Sequence, residues 1–483
     1  MKKIFELTGD DFIKGYSTQP GMATNGVFQS APGFDPFNEM GYIKPSLAAT
    51  ALTAPATNPV KFINSFNVSG TGYFYAQSTT KLYQYLVDSP YTQADKTAEI
   101  NTDFPIAGAI VWGDPTTGLQ KYIYAQCNTG VKVYADPIPV EGGASVEILS
   151  SVTTSSATDI RPMCVGADKN LYIGTTDAVS QIIRTDQVSG NTHNAFLTDV
   201  GFTVRGIVND GRYLIVLADN NAIATTSRTV GNYRCRIYFW DMVGSLSDVI
   251  WDIQDSYLIG GVFKDNKIYV FGYNGIYVCN SVTSPKMIWD FRGNSSITKR
   301  PASPYQITQG SNEIYWADGA TNGNNIYAIR GTTIYSPFIT HSSTYAHSAI
   351  SAIGSSLVAA HSQPGIVLHN VGSTAGNLTA LTAKTNLPQT YTYGYTKVVL
   401  KSPLSTGQEI NLILYNGNSS LISNTTSKTY AVDGAKRVLT FRPTPTSASV
   451  KSFDDIYVSI NSVAGAAIEK VCVYGMPTDD IQE

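Results

Sequence analysis

Apolar and polar residues alternate in short runs along most of the chain, and the runs come in pairs. GYFYAQSTTKLYQYLVD at residues 72 to 88 and KYIYAQCNTGVKVYAD at 121 to 136 both read as strand, polar turn, strand, and they share the opening Tyr-x-Tyr-Ala-Gln. A period of two places apolar residues on one face of a pleated segment, which predicts half-buried strands. Seven strand–turn–strand units of this kind open at Tyr73, Tyr122, Leu171, Leu214, Ile268, Ile314 and Leu357, 43 to 54 residues apart and about 47 on average. The second strand of a unit often ends near an aromatic residue, as in KLYQYL, RIYFWD and GIYVCN; the third unit, with SQIIRTD, is the poorest copy.

A period near 47 residues is that of a propeller blade of four short strands. Two further strands must then lie in each interval, and AGAIVWGD from Ala107, RPMCVGAD from Arg161, VRGIVNDG from Val204 and SYLIGGVFKD from Ser256 supply candidates for the strand before the opening pair. The pattern predicts an all-β chain with a seven-bladed β-propeller over residues 49–380, six and eight being the neighbouring counts. From about residue 388 the cadence changes. QEINLILYN, RVLTFRP, DIYVSIN and IEKVCVYG alternate strictly, and with YTYGYTKVVL and SLISNTTSKTYAV they make six strands, predicting a small β-sandwich over 388–483. Residues 1–48 follow neither period. Their Pro36 and Pro45 favour extended backbone, and Phe34, Pro36, Phe37, Met40 and Tyr42 in GFDPFNEMGYIKP are the candidate assembly contacts of an arm that reaches a neighbouring subunit, unless the segment closes the propeller.

Composition agrees with an all-β reading. Charged residues are only 14% of the chain, while Gly (41) and Tyr (30) are abundant. The net charge of −3 carries no run of like sign, so neither sequence-specific nucleic-acid binding nor an anionic membrane is indicated. No apolar run reaches membrane-spanning length, and MKKIFELTGDDF lacks the continuous apolar stretch of a secretory signal. Five cysteines, tens of residues apart and without a CxxC pair, predict buried thiols, not a zinc site or a disulfide framework.

Candidate chemistry is sparse. The histidines, His193, His341, His347, His361 and His369, are scattered; hairpin pairing would set His361 near Ile366, apart from His369. Asp168, Asp219 and Asp318 fall at blade turns, where aspartate is an ordinary turn residue, and receive no catalytic role. DGATNGNN at 318–325 has one acid among neutral residues and reads as a hairpin loop, not a calcium site. Trp-Asp pairs at Trp240, Trp251 and Trp289 lie 11 and 38 residues apart, not once per unit, so the WD-repeat pattern is absent. No catalytic residue, metal or cofactor is expected.

The arm–propeller–sandwich layout, with the GFDPF and GYIKP style of leader, resembles the propeller-bearing virion proteins of tailed bacteriophages, especially nozzle or neck components of short tails. The resemblance implies a structural, non-enzymatic role in the virion after synthesis in the host cytoplasm. It also implies a homo-oligomeric ring, six copies being the expected number, and contacts with other virion proteins. The competing readings are a glycan- or receptor-binding adhesin, with Tyr and Trp of YWADGATNGNN stacking on sugars, and a propeller glycan hydrolase or lyase.

Overall fold

The computed structural model describes residues 1–16, 28–37, 40–47, 49–53, 59–101, 106–127, 131–152, 160–175, 178–222, 227–292, 300–319, 325–338, 346–354, 356–361, 365–369, 376–417, 421–424, 427–443 and 452–478. Seven four-stranded antiparallel sheets follow one another, with strands paired in sequence order within the first six. Blades 1 to 6 span residues 62–95, 106–152, 163–197, 203–255, 258–290 and 307–335, and blade 7 contributes three strands over 347–369. The innermost strand of each blade packs on that of the next, and His347–Ile353 of blade 7 packs on Phe62–Val68 of blade 1. The fold is a seven-bladed propeller. Each of the seven units read from the sequence supplies the second and third strands of one blade, from Thr71–Gln77 with Leu82–Leu86 to Ser356–His361 with Ile366–His369.

The fourth strand of blade 7 comes from the other end of the propeller. Thr50–Ala51 pairs antiparallel with Leu368 and Val367, and the Leu52 amide donates to the Ile366 carbonyl at 2.9 Å. Closing strand and leader are therefore distinct, because the closing residues lie just beyond 1–48. Side chains staple the seams: Trp112 Nε1 donates to Lys169 O (2.8 Å), Asn209 Nδ2 to Val165 O (2.9 Å), Trp251 Nε1 to Asn280 O (3.0 Å) and Lys264 Nζ to Ser311 O (2.9 Å). At the closing seam the Tyr85 hydroxyl of blade 1 donates to Thr53 O at 2.8 Å.

The Tyr305 side chain reaches across the axis. Tyr305, just before the first strand of blade 6, donates its hydroxyl to Arg161 O at 3.0 Å beside blade 3, and its ring meets Phe62 of blade 1 edge-on at 4.5 Å. Gly108 of blade 2 allows this approach: a Cβ there would stand 2.3 Å from Arg161 O and 3.2 Å from the Tyr305 hydroxyl.

The remaining strands form one ten-stranded antiparallel sheet. It holds strands at the alternating segments near 391–400, 409–415, 438–441, 453–463 and 468–477, whereas SLISNTTSKTYAV divides into Leu421–Asn424, Lys428–Thr429 and a helical turn Tyr430–Asp433. Leu378–Thr382, which straddles the end of the segment assigned to the propeller, pairs with Phe453–Val463 instead, so the last blade ends at His369.

The leader belongs to this sheet as well. Lys2–Leu7 pairs with Ile468–Pro477, and Phe28–Ser30 pairs with Leu378–Thr382. Between them the leader grips blade 6: the Tyr16 amide donates to Ile334 O (2.8 Å), and those of Gly33 and Phe34 donate to Ser336 O (3.0 Å each). Ile43 and Ile468 exchange both backbone hydrogen bonds, returning the leader to the sheet. Phe5, Leu7, Phe12, Phe28, Phe34 and Ile43 are buried in one cluster with Ile410, Leu412 and Leu414 of the sheet and Ile314 and Trp316 of blade 6. A segment without a period of its own is thus ordered by two surfaces at once.

Leu52→Pro removes the amide that bonds Ile366 and misfits a largely buried side chain, so we expect a loss of about 2 kcal/mol or more, read as a lower urea midpoint.

Candidate functional site: a polar collar and an arginine-lined mouth

The second strand of a blade ends at the propeller face where the first strand begins. In six units the residue reaching that face is polar and buried: Gln77, Gln126, Thr175, Asp219, Asp318 and His361. Blade 5 has Gly272 there. A Cβ on Gly272 would stand 2.3 Å from Asp255 Oδ2, because the carboxylate at the end of blade 4 already fills the position. The repeat therefore builds a collar of buried polar groups around one mouth of the axis.

The first strands are shaped to receive this collar. In blades 2, 4, 5 and 7 the pairing register slips by one residue just inside the mouth, at Ala107, Arg205, Ile259 and Ser348. These are β-bulges, which add a residue and re-aim its side chain. The bulge at Arg205 matters most. Its guanidinium meets Asp219 through Nε (3.1 Å to both oxygens) and Nη2 (2.9 Å), and Nη2 also donates to Ala222 O at 2.8 Å. Asp219 in turn accepts from the Leu258 amide of blade 5 at 2.9 Å, so the buried pair ties two blades.

Asp255 accepts from the amides of Ser256 (2.5 Å) and Asn274 (3.0 Å) and from the Tyr277 hydroxyl (2.9 Å). Burial raises its pKa above the usual carboxylate range despite these donors. Gln77 Oε1 accepts from the Tyr122 hydroxyl of blade 2, a phenol that burial holds well above its ordinary pKa. In blade 7, His347 faces His361 across the strand pair with ring centroids 4.7 Å apart.

Arg161, Arg205 and Arg228, with Thr203, line a cavity of about 20 Å³ at this mouth, room for roughly one water molecule. Beside it Arg228 stands 5.3 Å over the Tyr257 ring, Tyr257 and Tyr273 are 5.2 Å apart, and Arg300 lies 3.6 Å over Tyr273. The mouth is cationic and aromatic. Among the described residues no group of three or more His, Cys, Asp or Glu could hold a metal ion, and no helix is long and apolar enough to cross a membrane.

The candidate arm residues do not act together. Phe34 and Pro36 are buried, and Phe37 packs edge-on against Tyr335 (5.4 Å) beneath Arg330 (4.6 Å). Tyr42 is half-buried under Lys401 at 4.8 Å, and of the five only Met40, 69% exposed, faces solvent. The first three serve the chain's own interior because the outer strand of blade 6 offers them an apolar surface within reach.

Of the aspartates set aside as turn residues, Asp168 accepts from Tyr172 and Gln181 in its own blade, whereas Asp219 and Asp318 belong to the collar. His361 stands opposite Gly365, whose carbonyl accepts its amide at 3.0 Å; Ile366 pairs with Ala360, one place from the expected partner. His361 and His369 stay apart, His369 packing on Phe338 at 4.7 Å. His341 and residues 320–324 of DGATNGNN lie outside the described residues. Trp316 is buried between Phe271 and Tyr327, so its ring is not presented for stacking, while Tyr315 is half-buried with its hydroxyl donating to Glu313.

Sequence reasoning missed the arginines and the His347–His361 pair. The signal for Arg205 was present: in a chain with so little charge, an arginine inside the apolar run VRGIVN requires a buried partner. The histidine pair gave none, because the strand bearing His347 was not recognised.

No protein-family model matches the chain, and no curated protein matches it. Solved structures that it resembles are propellers. A catalytically inactive virginiamycin B lyase from Staphylococcus aureus with quinupristin shares 11% identity over 67% of this chain and 99% of that one, at a TM-score of 0.47. The WD40 β-propeller domain of Doa1 shares 9% over 68% and 98%, also at 0.47. Likeness at this level concerns the fold alone.

Two substitutions test the collar. Asp219→Asn should cost about 3–5 kcal/mol of unfolding free energy by leaving the Arg205 charge buried and uncompensated, measured by urea denaturation. For Asp255 the native state holds its proton more tightly than the unfolded chain, so its contribution is most favourable in acid and is lost as pH rises from about 4 through the raised native value. The melting temperature of D255N should therefore gain on that of the wild type between pH 4 and pH 7.

Proposed function

We propose that the chain is a structural virion component of a tailed bacteriophage, a propeller subunit of an oligomeric tail, nozzle or neck ring. The observation that carries this reading is the leader. It is threaded between blade 6 and the ten-stranded sheet and buries aromatic side chains in a core common to both, which makes one stiff block of the kind that stacks in a particle. We read the ten-stranded sheet as a folded-over β-sandwich, since Ile410, Leu412 and Leu414 share that core with Val398, Leu439, Val471 and Val473.

Other features support a scaffold. Tyr305 crosses the axis, and the cavity at the mouth is water-sized. Exposed apolar side chains, among them Val200, Val243, Leu246 and Val282, stand on propeller loops where neighbouring subunits could bury them. Low net charge suits a part that DNA passes, since each phosphate paired with a cation adds affinity and hinders movement.

Mass spectrometry of intact virions should find peptides of this chain in multiple copies per particle, and negative-stain images of the purified protein should show rings of about six. A chain absent from virions and monomeric at all concentrations would overturn the proposal, and saturable glycan binding by that monomer would establish the adhesin reading in its place.

A further inference from the structure

Fourth strands form the rim of a propeller, each leaving one edge without a neighbour in its sheet, and six of the seven here are blunted. Gln93–Asp95, Thr333–Tyr335 and Thr50–Ala51 are two or three residues long, and Val146–Val152, Thr192–Leu197 and Lys286–Asp290 slip in register against the third strand. Val249–Asp255 of blade 4 is the exception. It pairs with Tyr233–Trp240 over seven residues without a break, and among the described residues nothing pairs with its outer edge. Val243, Leu246 and Ile250 are exposed at its leading end, and Asp248 and Asp252 are exposed acids. Trp251 Nε1 donates to Asn280 O, which brings the loop of the exposed Val282 to the same corner.

A second open edge lies on the ten-stranded sheet. Val438–Phe441 pairs with Thr396–Val399 residue for residue, and among the described residues its other edge has no partner strand. Tyr430, Val432 and Val438 are exposed around it, as are Lys436, Arg437 and Arg442. On this edge Asp433 and Glu469 answer Lys436 and Arg437, and on blade 4 Asp199 and Asp252 answer Arg234 and Arg236. Among the described residues neither Arg442 nor Asp248 enters an ion pair, so the sheet edge keeps a basic excess and the blade edge an acidic one. Two copies of either edge would set like charges against each other, whereas the unlike edges attract.

We propose that chains associate head to tail, the Val249–Asp255 edge of one copy forming main-chain hydrogen bonds with the Val438–Phe441 edge of a second copy. This pairing rests on the proposed homo-oligomer and supplies its contact. The joined edges cover Val243, Leu246 and Ile250 on one side and Val432 and Val438 on the other. Because the two surfaces differ, every copy keeps one edge for the next, and the series closes into a ring when the rotation per copy allows.

The test is sedimentation velocity of the full chain over a range of concentrations. The wild type should self-associate, and less tightly as sodium chloride rises. Ile250→Lys and Val438→Lys should each weaken association by about tenfold or more. An equal mixture of the two should form one-to-one dimers, since each variant retains the edge that the other lacks. Val146→Lys, on the shifted outer strand of blade 2, should associate as the wild type does. Melting curves identify any variant that does not fold; Asp248→Lys and Arg442→Glu then read the same two edges. The proposal is overturned by a wild type that stays monomeric, by folded Ile250→Lys or Val438→Lys associating as the wild type does, by a mixture that stays monomeric, or by equal weakening in Val146→Lys. Virions that contain the chain while Val438→Lys assembles normally would remove this contact and leave the proposed function standing.

Discussion

Ring closure by a two-residue strand is the constraint on which the rest of the molecule depends. Six blades complete themselves from consecutive sequence, but blade 7 stops at its third strand and takes its fourth from Thr50–Ala51. Without that strand the outer edge of blade 7 would lose its partner, and the contact between His347–Ile353 and Phe62–Val68 would have to hold the ends of the ring together with less support. The Tyr85 bond to Thr53 O reinforces the same seam from blade 1. The chain that precedes Thr50 is then anchored at one end, and the leader runs from there to blade 6 and the ten-stranded sheet.

Closure also explains why polar groups gather at one mouth. The first strands of blades 2, 4 and 5 carry Gly108, Gly206 and Gly260 just inside the mouth, each beside a bulge and packed closely enough that a Cβ would crowd its neighbours. The second strands end there in buried polar residues. A buried polar group is tolerated only when bonded, and the collar residues use the nearest donors and acceptors, several of them in the next blade: Gln77 to Tyr122, Asp219 to Leu258, Asp255 to Asn274 and Tyr277. The blades thus acquire directional links in addition to nonspecific apolar contact. Such links fix how far each sheet rotates against its neighbour, whereas dispersion alone would accept a range of angles.

Much of the propeller was legible because its second and third strands are buried on both faces and keep a regular apolar cadence. LIVLAD at Leu214 is buried at every position, and its relatives are buried at most of theirs, with Tyr73 and Tyr315 half-buried. The outer strands were not legible. Gln93–Asp95, Thr333–Tyr335 and Thr50–Ala51 are two or three residues long, too short for any period to register. Leu378–Thr382 was not read as a strand at all: it straddles the end of the segment given to the propeller, and five residues carry too little alternation to register. The leader failed for a related reason: aromatic residues among prolines show that a segment seeks a surface, and Phe34 and Phe37 found theirs on blade 6 of the same chain. At the mouth, Asp219 looked like any turn aspartate, since its role depends on Arg205 across the strand pair and on an amide nearly forty residues away.

The pairing of Lys2–Leu7 with Ile468–Pro477 has a temporal consequence. Strands made first must wait for strands made some 460 residues later, which at ribosomal rates is about half a minute to a minute and a half. During that interval Phe5, Leu7 and Phe12 are synthesised but have no sheet to enter, while the blades can form one after another behind them. The nascent chain therefore carries Phe5, Leu7 and Phe12 uncovered until Ile468–Pro477 is made, and a chaperone that shields aromatic segments during translation would act on this stretch rather than on the blades.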